Sequence, residues 1–373
     1  MSDSVKSPAR PRQLLVGTYP ERLPHVSGKA EGIMLCTFAE GRVGPPSLVA
    51  SVRNPAFITA TPSGDHVYAA SETLEFEGQP GGGLTAFSRD PGTGALHPLN
   101  TRPSGGEQPC YIAIDELSGF ALVANYGTGS VAVFERRRDG SLGQMTDFVQ
   151  HRGSGPDQVR QTGPHPHMVV FYPSHVGGEE RDGKALVPDL GADAVFTYSV
   201  SPSGKLAEKR EMRLSTKAGA GPRHLRFHPG GRHLFVLNEL DSTLMVVRLE
   251  GARLVAVATV STLAAGSSST SMAAEVRVSL SGKYVFASNR GPGSDNIAMF
   301  AFDEGSETIS LVRVEASRGE VPRDFTQSPD GRYLIVANQD TDTVVTFEID
   351  EDEPGLKFVS ETEVPTPVSL LFP

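Results

Sequence analysis

Short apolar runs recur along the whole chain, separated by clusters of Gly, Pro, Asp and Ser. Ala121-Leu-Val-Ala-Asn-Tyr126, Leu234-Phe-Val-Leu-Asn-Glu239, Val285-Phe-Ala-Ser-Asn-Arg290 and Leu334-Ile-Val-Ala-Asn-Gln339 are four versions of one segment, apolar and closed by Asn. Each is preceded by a Pro-led or small-residue-led apolar run, as at Pro109, Pro222, Ala273 and Pro322. Each is followed by another, such as Ser130-Val-Ala-Val-Phe134 or Thr343-Val-Val-Thr-Phe347. A weaker fourth run follows in places, for example Leu356-Lys-Phe-Val359. Runs this short, rich in Val, Ile and Phe and bounded by turn residues, predict β-strands. Further copies start at Pro55 and Pro166; Pro55, Pro109, Pro166 and Pro222 are spaced by 54, 57 and 56 residues. Four strands per unit at a period of about 50 residues is the sequence mark of a propeller.

The ends complete the count. Leu14-Leu-Val-Gly-Thr-Tyr19 matches a second strand and Gly32-Ile-Met-Leu-Cys-Thr-Phe38 a third, with no first strand ahead of them. Thr366-Pro-Val-Ser-Leu-Leu-Phe372 matches a first strand. The expected fold is therefore all-β: a seven-bladed β-propeller of four-stranded antiparallel blades, closed by the C-terminal strand entering the N-terminal blade. Closure of this kind removes exposed sheet edges. The expected organisation is a flexible tail over residues 1–12 and one propeller domain over 13–373.

Composition narrows the function. Lys plus Arg number 34 and Asp plus Glu 44, a net charge of −10. That argues against nucleic acid or an anionic membrane surface as a partner, while leaving room for a local basic pocket. With only Cys36 and Cys110, the chain has no disulfide framework and no cysteine zinc cluster, and it suits a reducing compartment. No apolar run approaches the roughly 20 residues needed to span a bilayer. The polar N-terminus lacks the core of a secretory signal. A cytoplasmic location is expected.

In antiparallel blades the start of strand one and the end of strand two share a rim beside the central channel. Those positions carry Ala56, Cys110, His167, Arg223, Glu275, Arg323 and Val368, together with Glu72, Tyr126, Glu239, Arg290 and Gln339. The repeated Asn125, Asp189, Asn238, Asn289 and Asn338 suit strand-end capping. His167, Arg223, Glu239 and Arg290 do not repeat, so the blade architecture does not require them. Arg grips carboxylate or phosphate in two-point fashion, and His and Glu move protons. Glu275 and Arg323 pair with neighbours or bind substrate. A Gly-rich loop, Gly153 to Pro164, enters the same rim as a lid or substrate contact and carries Arg160 and Gln161. His165 and His167 share a strand face, but no further metal ligands are evident, so neither a metal nor another cofactor is expected.

At these residues the chain resembles the seven-bladed lactonase propellers, which include bacterial propeller-type 6-phosphogluconolactonases and the fungal 3-carboxy-cis,cis-muconate lactonizing enzyme. The most specific stretches are Arg160-Gln-Thr-Gly-Pro-His-Pro-His167, Gly219-Ala-Gly-Pro-Arg-His224, Asn238-Glu-Leu240, Ser288-Asn-Arg-Gly291, Pro322-Arg-Asp-Phe325 and Ala337-Asn-Gln-Asp340. The resemblance implies a site of one His, two Arg and one Glu. By motif these fall on His165 or His167, on Arg223 and Arg290, and on Glu239.

The expected activity is hydrolysis of a sugar-acid lactone, first of all 6-phosphogluconolactone. In this reading His167, Glu239, Arg223 and Arg290 are catalytic, with His167 or Glu239 as proton carrier. His165, Arg160, Gln161, Glu275, Arg323 and Asn338 are the expected contacts to a small anionic substrate. The alternatives are a lactonizing cycloisomerase of the carboxymuconate type and a non-catalytic propeller that binds ligands or proteins.

Overall fold

The computed structural model describes residues 11–115, 118–173, 183–251, 253–267 and 270–373. Residues 1–10 of the expected tail and residues 268–269, in the serine-rich run from Gly266 to Ser271, therefore lie outside the described residues. The chain forms seven antiparallel sheets arranged as the blades of a propeller. Blade 2 is Pro55–Ala60, His66–Ser71, Gly83–Arg89 and Leu96–Pro103. Blade 3 is Pro109–Asp115, Phe120–Asn125, Ser130–Arg136 and Leu142–Gln150. Blades 5, 6 and 7 open with Pro222–Phe227, Met272–Val278 and Pro322–Gln327, and in each the next three strands follow in sequence order. Blade 4 has a short inner strand, Val170–Phe171, preceded by an isolated bridge from Pro166 to Asp189.

Blade 1 closes the ring. The last strand, Pro367–Leu371, pairs antiparallel with the first, Arg12–Thr18, in the register Leu15 to Leu371 and Val16 to Leu370. The pairing falls on the two segments that the incomplete terminal copies predict. Val368 and Leu370 are buried, so the closing strand contributes core as well as hydrogen bonds.

Burial explains the sequence pattern. Second strands such as Phe120–Asn125 and Tyr333–Asn338 are buried at every residue, because each blade is covered on both faces by its neighbours. Such strands read as continuous apolar runs rather than alternating ones. Fourth strands lie at the outer edge and are largely exposed, as in Leu142–Gln150, which is why their apolar signal is weak.

The inner strands share a departure from regular pairing. The register slips by one residue between Pro55 and Phe57, Pro109 and Tyr111, Pro222 and His224, Pro322 and Asp324, and Ala273 and Val276. These are β-bulges, which bend a strand and redirect its side chains. The residue before the Pro is left-handed in five blades: Asn54, Gln108, Gly221, Val321 and Thr366 have φ of 39°, 51°, 63°, 56° and 43°. For the β-branched Val321 and Thr366 this conformation is strained. Kink and bulge together thus turn the inner strands that begin at Pro55, Pro109, Pro222 and Pro322 into the channel mouth.

Candidate active site

The bulges and the strand-two ends together build one cavity of about 420 Å³ at the channel mouth. In blades 3, 5, 6 and 7 the terminal Asn of the second strand faces into the blade, and the next residue, on the opposite side, faces the channel. Asn338 Nδ2 donates to the Ser317 carbonyl at 3.1 Å, and Asn125 Nδ2 to that of Ser104 at 3.3 Å. Glu72, Tyr126, Glu239, Arg290 and Gln339, each one residue further on, line the cavity. Asn338, expected to contact substrate, is instead a buried cap, and it is its neighbour Gln339 that lines the cavity.

Glu239 is the centre of charge. Its Oε1 accepts from Arg160 Nη2 at 2.5 Å, while its Oε2 lies 2.9 Å from Arg223 Nε and 2.9 Å from Arg290 Nη2. Burial alone would raise the carboxyl's pKa, but Arg290, Arg160 and Arg223 override it and hold Glu239 at about 2. The contacts to Oε2 are close but off the hydrogen-bond direction. Glu239 Oε2 and the Nε atoms of Arg223 and Arg290 have no aligned partner among the described residues. Burial, with Arg223, Arg323 and Arg160 nearby, lowers the Arg290 guanidinium to about 9 against the pull of Glu239. These donors are held in place without being saturated.

Arg160 reaches the cavity because its loop is braced from within. Asp157 Oδ1 accepts from the backbone N–H of Val159 and Arg160, at 2.8 and 2.9 Å. Gln161, fully buried, donates from Nε2 to the Leu190 carbonyl and to Asp193 Oδ1, both at 2.8 Å, and its Oε1 accepts from the Asp157 N–H. Asp193 also accepts from the N–H of Gly219 and Gly221, just ahead of Arg223. Gln161 was expected to touch substrate. It instead ties the Arg160 loop to the Arg223 segment, because its amide is fully engaged by backbone and carboxylate.

His167 lies on the floor, between the main cavity and a small inner one of about 10 Å³. Burial, followed by the charges of Arg223 and neighbouring groups, lowers its pKa well below 6.5, so the ring is neutral near pH 7. Its Nδ1 is 3.8 Å from the Cys110 sulfur, and its ring meets the edge of Tyr126. His165 points elsewhere: its ring stacks on Tyr126 and its Nδ1 bonds the Tyr126 carbonyl at 2.8 Å. Of the two histidines, only His167 lines the cavity.

Glu275 is also placed differently from expectation. It is buried in the channel beneath the mouth, where its Oε2 is 2.9 Å from His224 Nδ1 and its Oε1 3.3 Å from Arg226 Nη2. His224 Nε2 in turn faces Arg223 Nη1 at 3.2 Å. Arg223 itself lies below Glu239 and lines the inner cavity rather than the outer one. Arg323 lines both. The bulges are the reason: Arg223 with His224, Arg323 with Asp324 and Ala56 with Phe57 are consecutive residues that line one inner cavity, which regular strand alternation forbids.

The other side of the mouth adds Glu72, placed at the rim by the sequence but not among the expected catalytic or binding residues, and His25 and Gln108. Glu72 Oε2 accepts from the Tyr19 hydroxyl at 2.5 Å and from Arg323 Nη2 at 3.4 Å, and His25 and Gln108 stand beside them. Glu72 occupies the same strand-two position as Glu239, which was the available signal. The outer cavity thus carries Arg160, Arg290 and Arg323 against Glu72 and Glu239, a net of one positive charge in an acidic protein, with Arg223 beneath it. Among the described residues no group of three His, Cys, Asp or Glu is arranged to hold a metal ion.

A closed propeller with a cavity of this size at the mouth of its channel has room for a small molecule. Residues 13–372 match the family described as "Lactonase, 7-bladed beta-propeller". The chain belongs to this family. It is 30% identical over 362 residues to a 6-phosphogluconolactonase of Bacillus subtilis, covering 96% of this chain and 97% of that one. It is 29% identical over 348 residues to a 6-phosphogluconolactonase of Formosa agariphila, covering 92% and 94%. Among solved structures, the periplasmic gluconolactonase of Pseudomonas aeruginosa superposes with a TM-score of 0.88 at 31% identity, covering 97% of this chain and 100% of that one.

Proposed function

We propose that this chain hydrolyses a sugar-acid lactone bearing an anionic group, with 6-phosphogluconolactone as its substrate. The observation that carries the reading is the pair Arg223 and Arg290. Both are held within 2.9 Å of Glu239, yet both keep an Nε without an aligned partner, Arg290 in the wall of a cavity of small-molecule size and Arg223 beneath it. Such donors serve either the substrate's anion or the oxyanion that develops at the lactone carbonyl.

The chemistry needs one water, one proton carrier and one anion stabiliser. Water adds to the carbonyl carbon while neutral His167 takes its proton. The tetrahedral oxyanion is stabilised by guanidinium. The acyl–oxygen bond of the ring then breaks, and His167 returns the proton to the departing ring oxygen. The products are a free hydroxyl and a carboxylic acid, which releases its proton to solvent and leaves as the carboxylate. Glu239, held at about 2, is too weak a base to activate water. It acts as the counter-ion that orients Arg160, Arg223 and Arg290. No cofactor enters this scheme, and two buried free thiols fit a cytoplasmic setting.

The test is turnover of 6-phosphogluconolactone, of unphosphorylated gluconolactone and of 3-carboxy-cis,cis-muconate, each against its spontaneous rate. Acceleration of the phosphorylated lactone above the other two supports the reading. Turnover of the muconate alone moves the assignment to a cycloisomerase, and turnover of none moves it to a binding propeller.

A further inference from the structure

We infer that the Glu72–Gln339 side of the cavity is a polyol subsite that reads the hydroxyl groups of the substrate; this rests on the lactonase reading above. Glu72 and Glu239 occupy equivalent strand ends three blades apart in a ring of seven, so they face each other across the channel. Their surroundings differ. Glu239 is enclosed by three guanidiniums, whereas among the described residues only one oxygen of Glu72 accepts a hydrogen bond. Its Oε2 takes the Tyr19 hydroxyl and Arg323, while the nearest donor to its Oε1 is His25 Nε2 at 3.7 Å, beyond hydrogen-bond range.

Gln339 supplies the second observation. It lines the same cavity and is only 2% exposed. Its Nε2 donates to Asp340 Oδ1 at 2.8 Å, which fixes the amide orientation, and its Oε1 is left with no partner. A buried acceptor without a donor is a costly arrangement that native structures resolve with a ligand or ordered water. Two unfilled acceptors on one side of the cavity call for donors. An anionic group brings none, and a phosphate belongs with the arginines opposite. Hydroxyl groups bring donors, and they also accept from Arg323 and the amide of Gln108. A substrate with an anion at one end and a run of hydroxyls at the other satisfies both sides of the mouth at once.

The probes are two stable anions of similar length: glucitol 6-phosphate, which carries the hydroxyls, and hexyl phosphate, which lacks them. Their affinities are measured by calorimetric titration of the whole protein. The wild type is expected to bind glucitol 6-phosphate at least tenfold more tightly than hexyl phosphate. Gln339→Leu, which keeps the volume and removes the acceptor, is expected to weaken glucitol 6-phosphate at least fivefold more than hexyl phosphate, and Glu72→Gln to do the same. Equal binding of the two probes by the wild type, or equal losses in Gln339→Leu, overturns the subsite. Gln339→Leu stands alone as the decisive variant if Glu72→Gln does not fold. Because neither probe is a lactone, this outcome is independent of whether the protein turns over 6-phosphogluconolactone, which decides the reading beneath it.

Discussion

Arg223 Nε lies 2.9 Å from Glu239 Oε2, with the two side chains 3% and 1% exposed. They come from the first and second strands of one blade, and the carboxylate is the only anion in contact with Arg160, Arg223 and Arg290 among the described residues. Removing one partner of a buried ion pair leaves the others uncompensated.

Glu239→Gln is therefore expected to lower unfolding free energy by about 3–5 kcal/mol, the usual cost of breaking a buried pair. Denaturant unfolding reads the loss. Arg160→Ala, at a partly exposed guanidinium, is expected to cost well under that in stability while raising KM for a phosphorylated lactone about tenfold, the loss of one charge-assisted hydrogen bond. Equal stability losses in the two variants would contradict the central position of Glu239.

His167→Ala is expected to lower kcat about 10²–10⁴-fold, the range for loss of a general acid–base. Because burial and the arginines depress its pKa, the rate should stay level as pH falls from 8 through 6.5 and decline only at lower pH. Arg223→Gln removes the largest charge acting on it, so the acid limb of any remaining activity should move to higher pH. An acid limb near 6.5 in the wild type would show that His167 is not the titrating group. For stability the sign follows the same depression. The unfolded histidine binds its proton near 6.5 and the folded one does not, so its contribution is complete above 6.5 and declines as pH falls below it.

Asp324 acts in the opposite sense. Burial, with Glu275 beside it and Arg277 opposing, raises it to about 7. The folded carboxyl keeps a proton that the unfolded chain releases near pH 3.9. Its ionisation then reduces stability as pH climbs from about 4 to 7, by up to about 1.4 kcal/mol per unit. Asp324→Asn removes this penalty. Its stability relative to wild type should increase between pH 4.5 and 7 and level off above, in urea unfolding at a series of pH values.

Removal of residues 367–373 should lower the melting temperature by more than 10 °C or prevent folding. The closing strand buries Val368 and Leu370, each contributing about 1.5–3 kcal/mol, and its loss exposes the edge of Arg12–Thr18. Leu370→Ala alone should cost about 2–5 kcal/mol. A truncated protein that melts like the full chain would place the ring closure elsewhere.

Gln161→Leu tests the loop brace. Three side-chain hydrogen bonds are lost, and Arg160 should lose its fixed position over Glu239. KM for the anionic lactone should increase several-fold with kcat less affected. A fall in kcat with KM unchanged would mean that Gln161 supports the floor rather than the rim.

The repeat of apolar segments was enough to determine the seven blades, the strand order and the terminal closure, because burial on both faces leaves a continuous apolar signature in every second strand. The residues around the channel were also within reach, since equivalent positions of a repeat share a rim. What the sequence could not determine is which of two adjacent residues enters the cavity. A bulge of one residue breaks the alternation that a linear reading assumes, so Arg223 drops beneath the mouth and Glu275 joins His224 in the channel. The tertiary structure likewise decided between Asn338 and Gln339. The side chain one residue away along a strand lies on the other face of the sheet, and only the packed ring shows which face is the channel.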